Sequence, residues 1–353
     1  IMKIAIVGGG FYGCYIATKI LELKQNHKIT IYEKNNKILS EAAINNQYRL
    51  HKGYHYPRSK KTIEQTLKGS SDFMKEFNKY VFFPKNNIYA IHLKSKIKFK
   101  NYISVFKSYN LKFHILNKKY YSKYFSRPNE IEGAIKVDEG VISLEKLYTS
   151  LKKKLKKINI KTNTRVQNIS SGKGLVHLEN RKEKFDLIIN CTYINPNMGL
   201  KKNYYKLKYE LASMVHVKNS FGKEVALTIM DGKFVSAYPI NNNIITLSSV
   251  KFTPVKKFNS LNEYLKFLKN KKKYKKILNN SKKIILDVRK FIKLPTKVFV
   301  KKITYSPKVK IINDIDDRRL ANVKFEKKLI SVLCGKIDAA GFAWKTIEEK
   351  YFF

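Results

Sequence analysis

Residues 3–34 read KIAIVGGGFYGCYIATKILELKQNHKITIYEK, and the order of features within them decides the fold. Lys3–Val7 is a short, β-branched and nearly continuous apolar run, which predicts a strand buried on both faces of a parallel sheet. Gly8, Gly10 and Gly13 follow at once with the spacing G-x-G-x-x-G. Over residues 11–23, Ile16, Ile20 and Leu23 recur at helical spacing around Ala17, and residues 28–33 predict a second strand. This is a β-α-β unit that opens on a glycine-rich turn. Gly8 permits the tight turn, Gly10 lets the backbone approach a pyrophosphate, and Gly13 lets the helix pack on the strand. The helix N-terminus, with Phe11 and Tyr12 in its first turn, offers N–H groups to phosphates. Glu33, twenty residues after Gly13, stands where an acid accepts hydrogen bonds from an adenosine ribose. A triplet of glycines alone says little. With its strand, helix and acid it predicts an adenine dinucleotide site, without choosing between NAD and FAD.

The rest of the chain bounds what such a site can belong to. At 353 residues the chain is more than twice the roughly 150-residue prior for one domain, so two domains, or one domain with a large insertion, are expected. Hydrophobic residues at 43% and aromatics at 13% exclude a disordered chain. No apolar run approaches the roughly 18–20 residues of a membrane span, so neither a span nor a secretory signal is expected. Cys14, Cys191 and Cys334 lie far apart without CxxC spacing, which argues against a disulfide framework and against a metal site, and a reducing cytoplasm is the expected location. The formal charge is +47, yet only eight of 73 basic residues are Arg, whereas base readers lean on the Arg fork. Lys here travels with Asn, Ile, Tyr and Phe, the mixture expected from AT-rich codons, so a nucleic-acid partner is not expected. Either way the field favours anionic small molecules.

Further along, residues 63–77 predict a helix, while residues 88–125 show no clean period. Residues 133–141 predict a strand and turn, and Leu144, Leu147, Leu151, Leu155 and Ile158 mark the inward face of a helix whose lysines at 152–157 face solvent. Residues 186–191 and 329–333 predict buried strands, residues 212–217, 234–238 and 244–250 antiparallel strands, and residues 260–278 one amphipathic helix. A closing helix is expected over residues 338–350, with Asp338 as its N-cap.

These segments carry a resemblance. IVGGGFYGCYIA followed by IYEK resembles the D-amino acid oxidase superfamily of FAD-dependent oxidoreductases, and the likeness runs through most of the chain. GAIKVDEGVISLEKL with TNTRVQNI resembles the superfamily's strand-helix-strand segment, FDLIINCT its later strand beside the ADP moiety, and SVLCGKID its final strand and turn. The nearest patterns are the L-2-hydroxyglutarate dehydrogenase and glycerol-3-phosphate dehydrogenase-like branches, where an Ile-His-x-Gly stretch lies against the flavin; Leu50, His51, Lys52 and Gly53 occupy that pattern. The resemblance implies an α/β fold in which a Rossmann-like FAD-binding domain, over 1–80, 136–200 and 325–353, is interleaved with an α+β substrate domain on an antiparallel sheet, over 81–135 and 201–324.

It also implies non-covalent FAD, Cys334 reading first as a small buried residue. Cofactor contacts are expected from Gly8, Gly10, Phe11, Tyr12, Gly13, Glu33 and Lys34. Others are expected from Asn46, Arg49, Leu50 and His51, from Val166, from Cys191 and Thr192, and from Gly335, Lys336, Ile337 and Asp338. Tyr193 stands where the family often has a small residue. The terminal helix, with Lys336 nearby, would face the negative charge of reduced flavin near N1 and O2.

Residues 45–58, NNQYRLHKGYHYPR, are far richer in special side chains than a connector requires. His51 and His55 are candidate bases, since loss of hydride from an alcohol must be coupled to loss of its hydroxyl proton. Arg49 is the candidate clamp for a substrate carboxylate, with Arg58 an alternative that could equally anchor the loop. Tyr54, Tyr56 and Tyr238 are candidates to line the pocket. The expected function is oxidation of a CH–NH or CH–OH bond of a small anionic metabolite by hydride transfer to flavin N5. An FAD-dependent tRNA-modifying enzyme and a non-catalytic FAD-binding protein are the alternatives.

Overall fold

The expected central strands do lie side by side in a parallel sheet. In the computed structural model, which describes residues 1–312 and 321–352, the parallel strands run in the order Leu329–Leu333, Leu187–Asn190, Lys3–Val7, Lys28–Tyr32 and Asn159–Lys161. Asn322–Glu326 adds an antiparallel edge beside Leu329–Leu333. The side chains of the first strand alternate between two cores, as a strand's period of two requires. Ile4 and Ile6 pack with Ile16 and Ile20 of helix Phe11–Glu22, Leu147 and Leu151 of helix Leu144–Lys154, and Trp344 and Ile347 of helix Ala340–Tyr351. Ala5 and Val7 face the other way, toward Ile169, Val176 and Phe185 around a three-stranded antiparallel meander. Burial on both faces is why the strand sequence shows no polar alternation.

A second sheet orders Pro254–Phe258, Leu207–Lys218, Ile244–Ser249, Val235–Pro239, Val225–Met230, Asn86–His92, Ile131–Val137 and Phe113–Leu116, and Val300–Ile311 also pairs with Leu207–Lys218. It is antiparallel except at one join, where Val225–Met230 runs parallel to Asn86–His92. That join is where strands from two separate stretches of chain meet, so no hairpin dictates their direction. A small sheet of Arg49–Leu50, Gly140–Ile142 and Val81–Phe82 sits between these regions and fixes the start of the His51 loop.

Two expectations change. Residues 260–278 do not form one helix: Leu261–Lys269 ends at Asn270, whose backbone is extended and whose Oδ1 accepts the Lys272 N–H, and a new helix runs Lys273–Phe291. Asn competes with the helical ladder in this way, and the surrounding lysines repel one another. Residues 88–125 hold a strand, the helix Phe99–Ser108, the edge strand Phe113–Leu116 and the short helix Lys118–Tyr121. Asn86–His92 is almost wholly buried, which erased the alternation that would have announced it. No helix among the described residues is long and apolar enough to cross a membrane.

Candidate active site

The C-terminal ends of Lys3–Val7 and Leu187–Asn190 open onto a cavity of about 1220 Å³, the place where parallel sheets bind ligands. At its floor the glycines have separate jobs. Gly8 has φ +107° and a Cβ there would lie 2.7 Å from the Cys191 carbonyl oxygen; at Gly13 it would lie 2.0 Å from the Gly8 carbonyl oxygen. At Gly10 nothing lies within 4 Å of a Cβ position, so space stays open at the helix N-terminus, which has no side-chain cap. Glu33 is buried beside this turn. Its Oε2 accepts the Gly9 N–H at 2.9 Å and its Oε1 the Asn35 N–H at 2.8 Å, which fixes the carboxylate while leaving each oxygen a further lone pair.

The terminal turn meets the same floor. The Tyr12 hydroxyl donates to the Lys336 carbonyl at 2.6 Å and accepts the Gly335 N–H at 3.1 Å, binding the turn to the first helix. Lys336 Nζ is buried with no hydrogen-bond partner among the described residues and lies 3.7 Å from the Tyr56 ring centroid. A buried ammonium with no hydrogen-bond partner among the described residues and an open helix N-terminus, both lining the cavity, fit a dinucleotide with an electron-rich ring beside Lys336.

Arg49 and His51 line the same cavity. The Arg49 guanidinium stacks on Tyr238 at 3.7 Å, donates to Gln47 Oε1 at 2.6 Å, and lies 3.3 Å from His55 Nδ1. A guanidinium only donates, so His55 accepts at Nδ1. Arg49 makes no ion pair with any carboxylate among the described residues. His51 Nδ1 lies 3.3 Å from Oε1 of Glu139, and burial pushes the His51 pKa down to about 4, Lys336 and Arg49 adding to the effect against the opposing pull of Glu139.

Of the residues singled out in the sequence, Gly8, Gly10, Phe11, Tyr12, Glu33, Lys34, Asn46, Arg49, His51, His55, Val166, Cys191, Thr192, Gly335, Lys336 and Ile337 all line this cavity, as do Tyr56, Arg58 and Tyr193. Arg58 grips Asp231 with both Nε and Nη2, anchoring the loop. Leu50 and Gly13 lie behind the wall in packing roles. Tyr238 and Tyr54 do not line the pocket. Tyr238 is fully buried behind Arg49 with its hydroxyl on Asn87 Oδ1 at 2.9 Å, and Tyr54 is spent on the Lys112 carbonyl. Aromatic rings at these positions read equally as lining or as support, and burial decided for support.

Asp338 is a further correction. It sits inside the 3-10 turn Ile337–Ala339, gives no side-chain cap, and keeps Oδ2 buried with no hydrogen-bond partner among the described residues. Burial raises its pKa from 3.8 to about 6. A carboxyl whose folded pKa is raised favours folding at pH below its unfolded pKa, and this advantage is lost as pH climbs through the folded one. Asp338→Asn is therefore expected to stabilise the holoprotein by roughly 3 kcal/mol above pH 6, with the gain vanishing below pH 4. Thermal melts of both proteins across that range measure it; a gain independent of pH would contradict it.

Two residues escaped sequence reasoning. Glu139 lies in the DEG turn, where an acid before glycine reads as turn chemistry, and its partner His51 is 88 positions away. Gln47 lies within the conspicuous loop, yet nothing in its neighbours reveals that it accepts from both Arg49 and Ser236.

Comparison with known proteins agrees with this geometry. The family model described as "DAO: FAD dependent oxidoreductase" matches residues 3–248. The chain is 27% identical over 360 residues to the FAD-dependent monooxygenase FPY4 of Fusarium mangiferae, covering 98% of this chain and 90% of that protein. Among solved structures, dithionite-reduced L-alpha-glycerophosphate oxidase from Mycoplasma pneumoniae with FAD bound superposes with TM-score 0.72 at 16% identity, covering 98% of this chain and 94% of that one. Glycine oxidase from Geobacillus kaustophilus superposes with TM-score 0.71 at 11% identity over 99% and 94% of the two chains. The cavity, its glycine turn and the family match agree: this chain is an enzyme of the DAO family of FAD-dependent oxidoreductases.

Proposed function

We propose that the enzyme oxidises a CH–OH or CH–NH bond of a small anionic metabolite by hydride transfer to N5 of non-covalently bound FAD. The observation that carries this reading is Arg49, a guanidinium fixed in the cavity beside His51 that makes no direct ion pair among the described residues, Glu139 acting on it only through space. A cation held so firmly, with no carboxylate in direct contact among the described residues, suits an anionic ligand. FAD supplies the two-electron acceptor when bound. Gly10 and the helix N-terminus would hold its pyrophosphate, Glu33 its adenosine ribose, and the Lys336 ammonium the electron-rich edge of its ring. Arg49 orients the substrate through its anionic group, and His51 presents a neutral imidazole to the reacting carbon's substituent. Residues 1–80, 136–200 and 325–353 serve as the cofactor portion and 81–135 and 201–324 as the substrate portion. In support of this division, most strands of the parallel sheet fall in the first portion and most strands of the mixed sheet in the second, Asn322–Glu326 and the last residues of Ile131–Val137 crossing it.

Anaerobic mixing of the purified yellow protein with hydroxy acids, phosphorylated polyols and amino acids, each beside an uncharged ester or amide, tests this reading. Bleaching by anionic members alone is expected. Arg49→Lys, which loses the planar fork, is expected to raise KM for them by roughly 10–100-fold, the equivalent of charged hydrogen bonds. Equal bleaching by the uncharged analogues would overturn the assignment. The Fusarium relative's name favours a second reading, oxygen insertion. Turnover under labelled oxygen separates the two: hydrogen peroxide with unlabelled product belongs to the first, label in the product to the second.

A further inference from the structure

His51 does not act as an isolated imidazole. Glu139, fully buried in the turn between Ile131–Val137 and Gly140–Ile142, accepts on Oε1 both the Lys52 N–H at 2.9 Å and His51 Nδ1 at 3.3 Å, and on Oε2 the Tyr89 hydroxyl. Its backbone carbonyl accepts from Asn87 Nδ2. Burial opposes its ionisation, but His51, Tyr89 and Arg49 together hold its pKa below the ordinary carboxylate range. A carboxylate only accepts, so Nδ1 must carry the proton and neutral His51 keeps its lone pair on Nε2. The charged and titratable groups that face this imidazole are Glu139, Arg49, Lys336, His55 and Tyr56.

We infer that Glu139 is the positioning residue that locks His51 in this tautomer, and that the locked base commits the site to alcohols rather than amines. The inference rests on the reading of His51 as the group that meets the reacting carbon's substituent. The carbon of an alcohol gives up its hydrogen with the bonding electron pair to oxidised FAD, its O–H bond breaks to give a proton to His51 Nε2, and a C=O bond forms. Two electrons and two hydrogens leave the substrate, one hydrogen as hydride and one as proton. A free amine carries its own lone pair and needs no such acceptor. An ammonium would arrive between Arg49 and Lys336, with Glu139 screened behind the imidazole and Asp231 already held by Arg58. The charges at this end therefore favour a neutral hydroxyl next to an anionic group.

Glu139→Gln separates charge from tautomer. Its amide oxygen must take the Oε1 position to receive the Lys52 N–H, and its NH2 can donate to Tyr89, so His51 keeps its Nδ1 partner and loses only the negative charge. Matched pairs, a 2-hydroxy acid with its 2-amino analogue and a phosphorylated polyol with its amino analogue, are mixed anaerobically with the holoprotein. Bleaching by alcohols only is expected. At saturating substrate the Gln variant should bleach roughly 10–100-fold more slowly with unchanged FAD content and half-saturation. Its acid limb should move to lower pH, because a group that raises the His51 pKa has been removed. Glu139→Asp should recover part of the rate. Should Glu139→Gln not fold, Tyr89→Phe removes one donor from the carboxylate and should move the acid limb to higher pH. Amines bleaching as fast as alcohols, or a Gln variant with unaltered rate and pH profile, would overturn the inference while sparing the anion site. Bleaching by neither member of any pair would sink both.

Discussion

His51→Asn should lower the rate of substrate bleaching by roughly 10²–10⁴-fold, the usual worth of a positioned general base, while FAD stays bound. Asn is chosen because its amide can still donate to Glu139 or accept from the cavity, so the wall keeps its shape but loses a titratable lone pair. The pH dependence gives an independent reading. With burial holding the imidazole's pKa at about 4, the neutral base persists through pH 6, and the acid limb should fall near pH 4 rather than near the 6.5 of a solvated histidine. Folding follows the same sign: a histidine whose folded pKa is lowered costs stability as pH falls from 6.5 toward 4, because the unfolded chain binds the proton first. Stopped-flow bleaching across pH 4–8 measures the limb. An Asn variant within a few-fold of the parent would remove His51 from the chemistry.

Gly13→Ala should yield protein that is colourless or insoluble. A Cβ at this position would stand 2.0 Å from the Gly8 carbonyl oxygen, a backbone atom with no room to rotate away, since Gly8 itself turns at φ +107° against the Cys191 carbonyl. The helix must move off the strand, and overpacking of this kind costs roughly 1–3 kcal/mol or more before the phosphate turn is considered. Gly10→Ala offers the control. Its Cβ would meet open space, so the variant should fold, and its FAD content alone should fall as the methyl occupies the pyrophosphate's place. Absorbance of bound flavin per mole of protein distinguishes the two; full flavin content in both would contradict the assignment of the turn.

The first β-α-β unit was legible because every level agreed within thirty residues: a continuous apolar strand, glycines at the spacing of a phosphate turn, helical spacing, and Glu33 just after the following strand. The mixed sheet was legible only in part. Val235–Pro239 and Ile244–Ser249 are joined by a hairpin and announce themselves locally, whereas Val225–Met230, on its side facing Asn86–His92, and Val300–Ile311 pair with partners far away in sequence. The candidate site shows the same limit. Residue types marked the loop 45–58 as special, and Arg49 and His51 were its evident members. Their neighbours, Glu139 from a turn and Tyr238 from the strand Val235–Pro239, are far away in sequence, and only the fold brings the one to His51 and the other to Arg49. The charge of +47 carried no such information, since the lysines of helices such as Leu144–Lys154 face solvent.

The most direct measurement is anaerobic titration of the purified holoprotein with anionic alcohols, followed by loss of the oxidised flavin band in the parent and in His51→Asn. The expected result is stoichiometric bleaching by at least one such alcohol in the parent and bleaching slowed by two or more orders of magnitude in the variant, roughly the contribution of the base. Bound flavin that no anionic alcohol reduces, or that both proteins reduce at one rate, would contradict the assignment of this cavity.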